Sequence, residues 1–211
     1  MVAGDVLIAC QVADWGDLSS MSTPTGGATW QLLAQRSAGD EPGIFVKVWW
    51  KYAGGDEPAS YGFSQDDRAF GAVAIVAVQG AKLDITPLVQ QSGGTNSSTV
   101  TTPSITPAGA DDLDIRIAAG TAADMSSATW SAPSQWTHRV ASGEGGVGDG
   151  AGVAMATREL NSASPTGTQN YGCSETLGFW AGFSVAVASA PPPGGRPPVV
   201  SRAAVHRAAS W

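Results

Sequence analysis

DVLIACQVA, residues 5–13, sets apolar side chains at Val6, Ile8, Cys10 and Val12, every second position. A period of two marks a strand with one face turned to a core. DLDIRIAAG, residues 112–120, repeats the pattern at a constant distance, with Leu113, Ile115, Ile117 and Ala119 in the matching places. The shift is 107 residues, and it holds elsewhere. It carries DLSS (17–20) onto DMSS (124–127), Gly43 onto Gly150, and Pro58 onto Pro165. It carries Val46 and Val48 onto Val153 and Met155, and Val76 and Val78 onto Phe183 and Val185. Trp30 falls one residue out of step with Trp136. The chain reads as an internal duplication, about residues 4–87 and 111–189.

Alternation continues in TWQLLAQRSA, IFVKVWWKYA and FGAVAIVAVQG, each with a partner in the second half. Turn chemistry (TPTGG, GDEPG, AGGDEP, GEGGVGDG) separates them. Helical periodicity is nearly absent before residue 200. The expected fold is all-β: a jelly-roll-like β-sandwich built from two pseudo-equivalent halves, with an extended C-terminal tail. A half of about 85 residues is marginal for its own core, so the halves are expected to share one over residues 1–190. Two tandem small domains are the alternative.

Charged residues make up only 14% of the chain, and net charge is −7. The last 22 residues carry Arg196, Arg202 and Arg207 and no acid, which leaves 8 basic and 18 acidic residues on the body. An acidic body argues against nucleic acid as the partner. Asp5 interrupts the first apolar run and no basic segment precedes it, so a signal peptide is not expected. No apolar run has the length of a membrane helix. Two cysteines, Cys10 and Cys173, make no disulfide framework or metal spacing, and synthesis in the cytosol is the simpler reading.

The duplication acts as a control on each motif. GEGGVG (143–148) fits a dinucleotide pattern, but a strand follows it instead of a helix, so it reads as a loop. DDLD (111–114) and Asp66–Asp67 are oxygen-rich, yet Asp112 matches Asp5 at a strand start, so both read as solvated. Glu41, Glu57, Glu144, Glu159 and Glu175 are glycosidase candidates by residue type only, and they too read as solvated acids. With His138 and His206 as the two histidines and no G-x-S-x-G, no catalytic residue, cofactor or metal is expected. Cys10 matches Ile117 and reads as a buried small hydrophobe. Trp50 is assigned to the core. Trp49 has Ala156 in its place and Trp15 has Ala122, so both are candidate contacts for a glycan or a partner, with burial under a loop the equal alternative for Trp49.

After Ala190 the pattern breaks. APPPGGRPP, residues 190–198, marks a semi-rigid linker over residues 191–199. Residues 200–211 read as a docking peptide with no counterpart in the first half. Val200, Arg202, Val205, Arg207 and Trp211 are its candidate contacts, and a short helix starting at Ser201 is one form for it.

AGDVLIACQVA, TPTGGATWQLLAQ, VKVWWKYAGGDEPASYGFS and GAVAIVAVQGA together resemble a domain of tailed phages that infect actinobacteria, borne by minor tail and virion structural proteins. The resemblance covers residues 3–190 and rests on a G-D-x-L strand, a Pro-Gly-Trp turn and a K-x-A-x-x-x-E-P-x-x-Y-x-F segment. Such domains often have a leading strand before G-D-x-L, so here it is expected to be missing or supplied by another chain. The resemblance implies a non-enzymatic structural component of the virion, most simply a minor tail protein displayed on the particle and anchored by its C-terminal tail. It implies synthesis in the host cytoplasm and other virion proteins, of tail or capsid, as partners. A trimer is expected only by analogy with phage appendages. The alternatives are a capsid decoration protein and a carbohydrate-binding module for host attachment.

Overall fold

The computed structural model describes the chain except residues 40–42, 66–68, 84–85, 147–148, 191–199 and 208–211; for 200–207 it describes the backbone. Eleven strands are present among the described residues: β1 Val6–Ala13, β2 Gln31–Ala38, β3 Ile44–Tyr52, β4 Gly71–Val78, β5 Leu88–Thr102, β6 Leu113–Thr121, β7 Trp130–Ser131, β8 Thr137–Gly145, β9 Gly150–Glu159, β10 Gln169–Val187 and β11 Val200–Arg207. They form two antiparallel sheets. One has the order β11-β4-β1-β3-β2, the other β5-β10-β6-β9-β8, with short β7 paired to β10.

The duplication is visible in the strand order and in the register. β4-β1-β3-β2 of one sheet repeats as β10-β6-β9-β8 of the other. Val6 pairs with Tyr52 and Ala13 with Phe45; Leu113 pairs with Glu159 and Gly120 with Gly152, at the shift of 107. β2 matches β8 at a shift of 106, which puts Trp30 in step with Trp136. Both strands carry a bulge at the same place, Leu33 in one and Arg139 in the other. β4 matches β10 at a shift of 109, because Val6 pairs with Val78 and Leu113 with Val187. The sequence alignment of Val76 and Val78 with Phe183 and Val185 is therefore two residues off. Their partners are Val185 and Val187, and the loop before β10 absorbs the difference.

The fifth strands make the arrangement unusual. β5 follows β4 but pairs with β10 of the other sheet, and β11 follows β10 but pairs with β4. Each half gives its last strand to the other half's sheet. The two crossing segments touch each other, through an isolated bridge between Ala81 and Ser189 and the bonds Lys82 N–H to Ala188 O and Ala190 N–H to Gly80 O. The tail segment thus has a counterpart in the first half, β5, and its backbone over 200–207 is a strand and not a helix.

One core lies between the sheets. Ile8, Cys10, Val46, Val48, Trp50 and Val76 meet Ile115, Ile117, Val153, Met155, Phe183 and Val185. β1, β4 and β6 are buried along their whole length. An antiparallel strand usually leaves one face to water. Here each sheet carries a second, outer cluster beneath its own loops: Leu7, Ala9, Trp30, Trp49, Val73 and Ile75 on one side, and Val100, Ala118, Met125, Trp136, Tyr171 and Leu177 on the other.

Candidate functional site

The strand starts are built alike. Asp5 Oδ2 accepts from Val2 N–H (2.9 Å) and Asp112 Oδ2 from Gly109 N–H (2.9 Å), at the repeat shift. Ala53 N–H bonds Asp5 O, and Leu160 N–H bonds Asp112 O. These carboxylates are 2% and 3% exposed, so they are buried turn braces and not the solvated acids expected. Asp17 and Asp124 likewise each close a turn on the N–H of Ser19 and Ser126.

Next to the first strand start sits a buried charged cluster. Lys51 Nζ reaches Glu57 Oε2 (2.6 Å), Gly26 O (3.1 Å) and Ala28 O (3.3 Å), and lies 4.8 Å from the Trp30 ring and 4.4 Å from the Tyr61 ring. Tyr61 O–H donates to Glu57 Oε2 and Gly54 N–H to Oε1, so the carboxylate that meets the ammonium is held at both oxygens. Burial pushes the Glu57 carboxyl up, but Lys51 and the two donors outweigh it and hold it below the usual carboxylate range. Burial, then the Glu57 carboxylate, pushes the Tyr61 phenol up. Trp30 meets Tyr61 and Phe63 edge to face. Gly27 has φ +65°, and a Cβ there would come within 2.8 Å of Lys51 Nζ. Glu57, expected in solvent, is therefore an interior partner.

The second half repeats the cation over tryptophan with other residues. Arg158, at the place of Lys51, lies 3.8 Å from the Trp136 ring. Its outer face adds a fully buried arginine that the sequence reading missed. Arg116 binds Asp114 through Nε (3.0 Å) and Nη2 (2.8 Å). It also donates to Pro103 O (2.6 Å), Thr102 Oγ1 (3.1 Å), Ser184 Oγ (2.8 Å) and Thr166 Oγ1 (2.6 Å). One side chain thereby ties β6 to the end of β5, to β10 and to the loop before it. The available signal was two opposite charges, two residues apart, on a strand whose twin has Leu7 and Ala9.

Trp49 is corrected by the same comparison. It is 4% exposed, inside the outer cluster, and cannot be a surface platform. Its cross-strand partner is Ala9, while Ala156, in the matching place, faces Arg116. A large residue on β3 opposite a small one on β1 is exchanged for a small residue on β9 opposite a large one on β6. Trp49 was unmatched because the packing swaps sides. Trp15 is half-buried just beyond β1, next to Asp14.

Val200, Arg202, Val205 and Arg207 lie on β11, with backbone partners Val78, Ala77, Ala74 and Ala72. The structure brings these four together in one strand, with β4 and β1 between it and Trp49 on β3. Trp211, Glu41, Asp66, Asp67 and part of the GEGGVG loop lie outside the described residues.

At one end of the sandwich Asp14, Gly43, Thr121, Asp149, Thr176 and Phe179 line an open cavity of about 240 Å³. Asp14 Oδ1 accepts from Phe70 N–H (2.8 Å), while Oδ2 is buried without a partner. Burial, with Asp149 and Glu144 adding to it, pushes its carboxyl up to about 6. Among the described residues no three His, Cys, Asp or Glu side chains cluster as a metal site. Among the described residues no helix is long and apolar enough to cross a membrane.

No family model matches this chain. No curated protein and no solved structure matches it either.

Proposed function

We propose that the protein is a non-enzymatic structural component of a bacteriophage virion, a minor tail protein displayed on the particle, with other virion proteins as its partners. The observation that carries this reading is where the residues of the phage-like segments go. Lys51, Glu57, Pro58, Tyr61 and Phe63 come from one segment, and Gly26 and Trp30 from another. They meet in the Lys51–Glu57 cluster, and Pro58 lies against Gly26. Residues spent on closing two loops over a sheet have a structural role, which supports a scaffold reading; the step to a virion component rests on the resemblance.

Burial of Trp49 removes one of the two platforms on which a glycan-binding reading rested and leaves the half-buried Trp15 as the other. Within the virion reading the choice is between tail and capsid. Immunogold electron microscopy of purified particles, with antibody against residues 1–190, tests it. Gold on the tail is the expected result. Gold over the capsid makes the protein a head decoration. Protein soluble in the lysate with bare particles overturns the virion reading.

A further inference from the structure

We propose that the cavity at the end of the sandwich binds a primary ammonium group, with Asp14 and Asp149 as its counter-charges. The proposal rests on the fold alone, so it stands or falls separately from the virion reading.

The duplication places this cavity. Asp14 and its twin Thr121 both line it, as do Gly43 and its twin Gly150. It therefore opens where equivalent strand ends of the two halves meet, and ligand sites favour the joints between structural units. Asp14 follows β1, and Thr121 ends β6. Thr121 closes its strand end without a charge, so the frame does not require an acid at Asp14.

The acid that stands there is incompletely satisfied. Asp14 is 2% exposed. Its Oδ1 accepts from the N–H of Phe70, a residue outside the cavity lining. The other oxygen, Oδ2, is the one side-chain atom of the lining that is buried with no partner among the described residues. Asp149, also in the lining, and Glu144 stand close enough to push the Asp14 carboxyl up. Like charges around a buried, half-satisfied carboxylate lower stability, and a cation in the cavity offsets that.

The lining indicates which cation. A calcium ion takes about six to eight oxygen ligands, and no metal cluster of acidic, histidine or cysteine side chains exists among the described residues. An ammonium needs only one acceptor for each N–H. Asp14, Asp149, Thr121 and Thr176 supply oxygens for these, and the Phe179 ring supplies an apolar wall for an alkyl stem. The cavity, about 240 Å³, holds far more than one water, so a short alkyl chain fits.

The test follows amide NMR signals of isotope-labelled full-length protein at neutral pH. Butylammonium chloride is titrated in, then calcium chloride, each against sodium chloride at equal ionic strength. The proposal expects butylammonium to move the amides of Thr121, Asp149, Gly150 and Phe179 saturably, while calcium and sodium leave them in place. Asp14→Asn, which keeps an acceptor for Phe70 N–H, should weaken the response roughly 10- to 100-fold, as loss of a charge-assisted hydrogen bond does. Glu159→Gln removes an acid at the other end of β9 from Gly150 and should leave the response intact, which separates a site from general attraction to an acidic protein. A short peptide with a single lysine identifies the source of the ammonium. If it moves the same amides at lower concentration than butylammonium, the source is a protein side chain; if only butylammonium moves them, it is a free amine. Both results support the site. Three results overturn it: no saturable movement with butylammonium, an undiminished response in Asp14→Asn, or calcium moving these amides in its place.

Discussion

On the outer face of the first sheet the space over β1 is filled from β3, by Trp49 opposite Ala9; on the second it is filled from β6, by Arg116 opposite Ala156. The backbones beneath are the same to the residue. Each half kept the strand pairing, the bulge and the turn-bracing aspartates, and each solved the outer packing in its own way. The first half uses an apolar ring and one buried lysine. The second uses a buried ion pair that gathers four segments. The comparison teaches that an unmatched residue in a duplicated chain need not be a functional one. It can be half of a compensating pair.

The strongest way to break this comparison is Arg116→Ala. It leaves Asp114 buried and unpaired, and should cost about 3–5 kcal/mol in denaturant unfolding. Transplanting the first half's solution, Asp114→Leu with Arg116→Ala and Ala156→Trp, should recover more than half of that loss. A triple variant no more stable than the single one would show that the two outer faces are not alternative packings of one frame. Trp49→Ala should cost about 3–4 kcal/mol by opening a cavity, with particle or glycan binding altered only through that lost stability.

A finer contrast lies in the two cations. Lys51→Met strands the Glu57 carboxylate and should cost about 2–3 kcal/mol, whereas Arg158→Met, whose site is partly open, should cost under about 1 kcal/mol. Thermal melts of the two variants side by side measure the difference. Equal losses would mean that the second cation is as deeply engaged as the first.

Much of this frame was legible beforehand, and the reason is physical. Inward residues of a strand have to be apolar at every second place, so β1, β3, β6 and β9 and their shift of 107 could be read from alternation. Loops tolerate insertions, so the shift drifted to 106 at β2 and 109 at β4, where alternation alone cannot tell a slip of two from none. β5 escaped notice because LVQQSGGTNSSTVTT is polar, as suits an edge strand with one wet face. Without β5, β11 had no visible counterpart. The charged clusters escaped because a Lys, Asp or Arg on a strand, or a Glu in a turn, is normally solvated, and only the loops folded over the outer faces bury them.

The smallest effect concerns Asp14, at the place where Thr121 stands in the second half. Its carboxyl, raised to about 6, binds its proton more tightly in the folded chain than in the unfolded one. The sign follows: stability falls as pH rises between about 4 and 6, and stays lower above that. Asp14→Asn keeps the acceptor for Phe70 N–H and should remove this dependence, with a small gain in stability at neutral pH. A pH series of urea midpoints for both proteins checks it, and parallel curves would refute the role given to Asp14.

Amide hydrogen exchange on the full chain and on a chain ending at Ala190 tests the central claim, that two halves close one sandwich by exchanging their last strands. The account predicts that β4 amides facing β11 in the full chain are protected as well as those of β10 facing β5. In the shortened chain β4 protection should fall by orders of magnitude while β10 keeps its own. Exchange from β4 that is fast in the full chain and unchanged by the truncation would contradict the account.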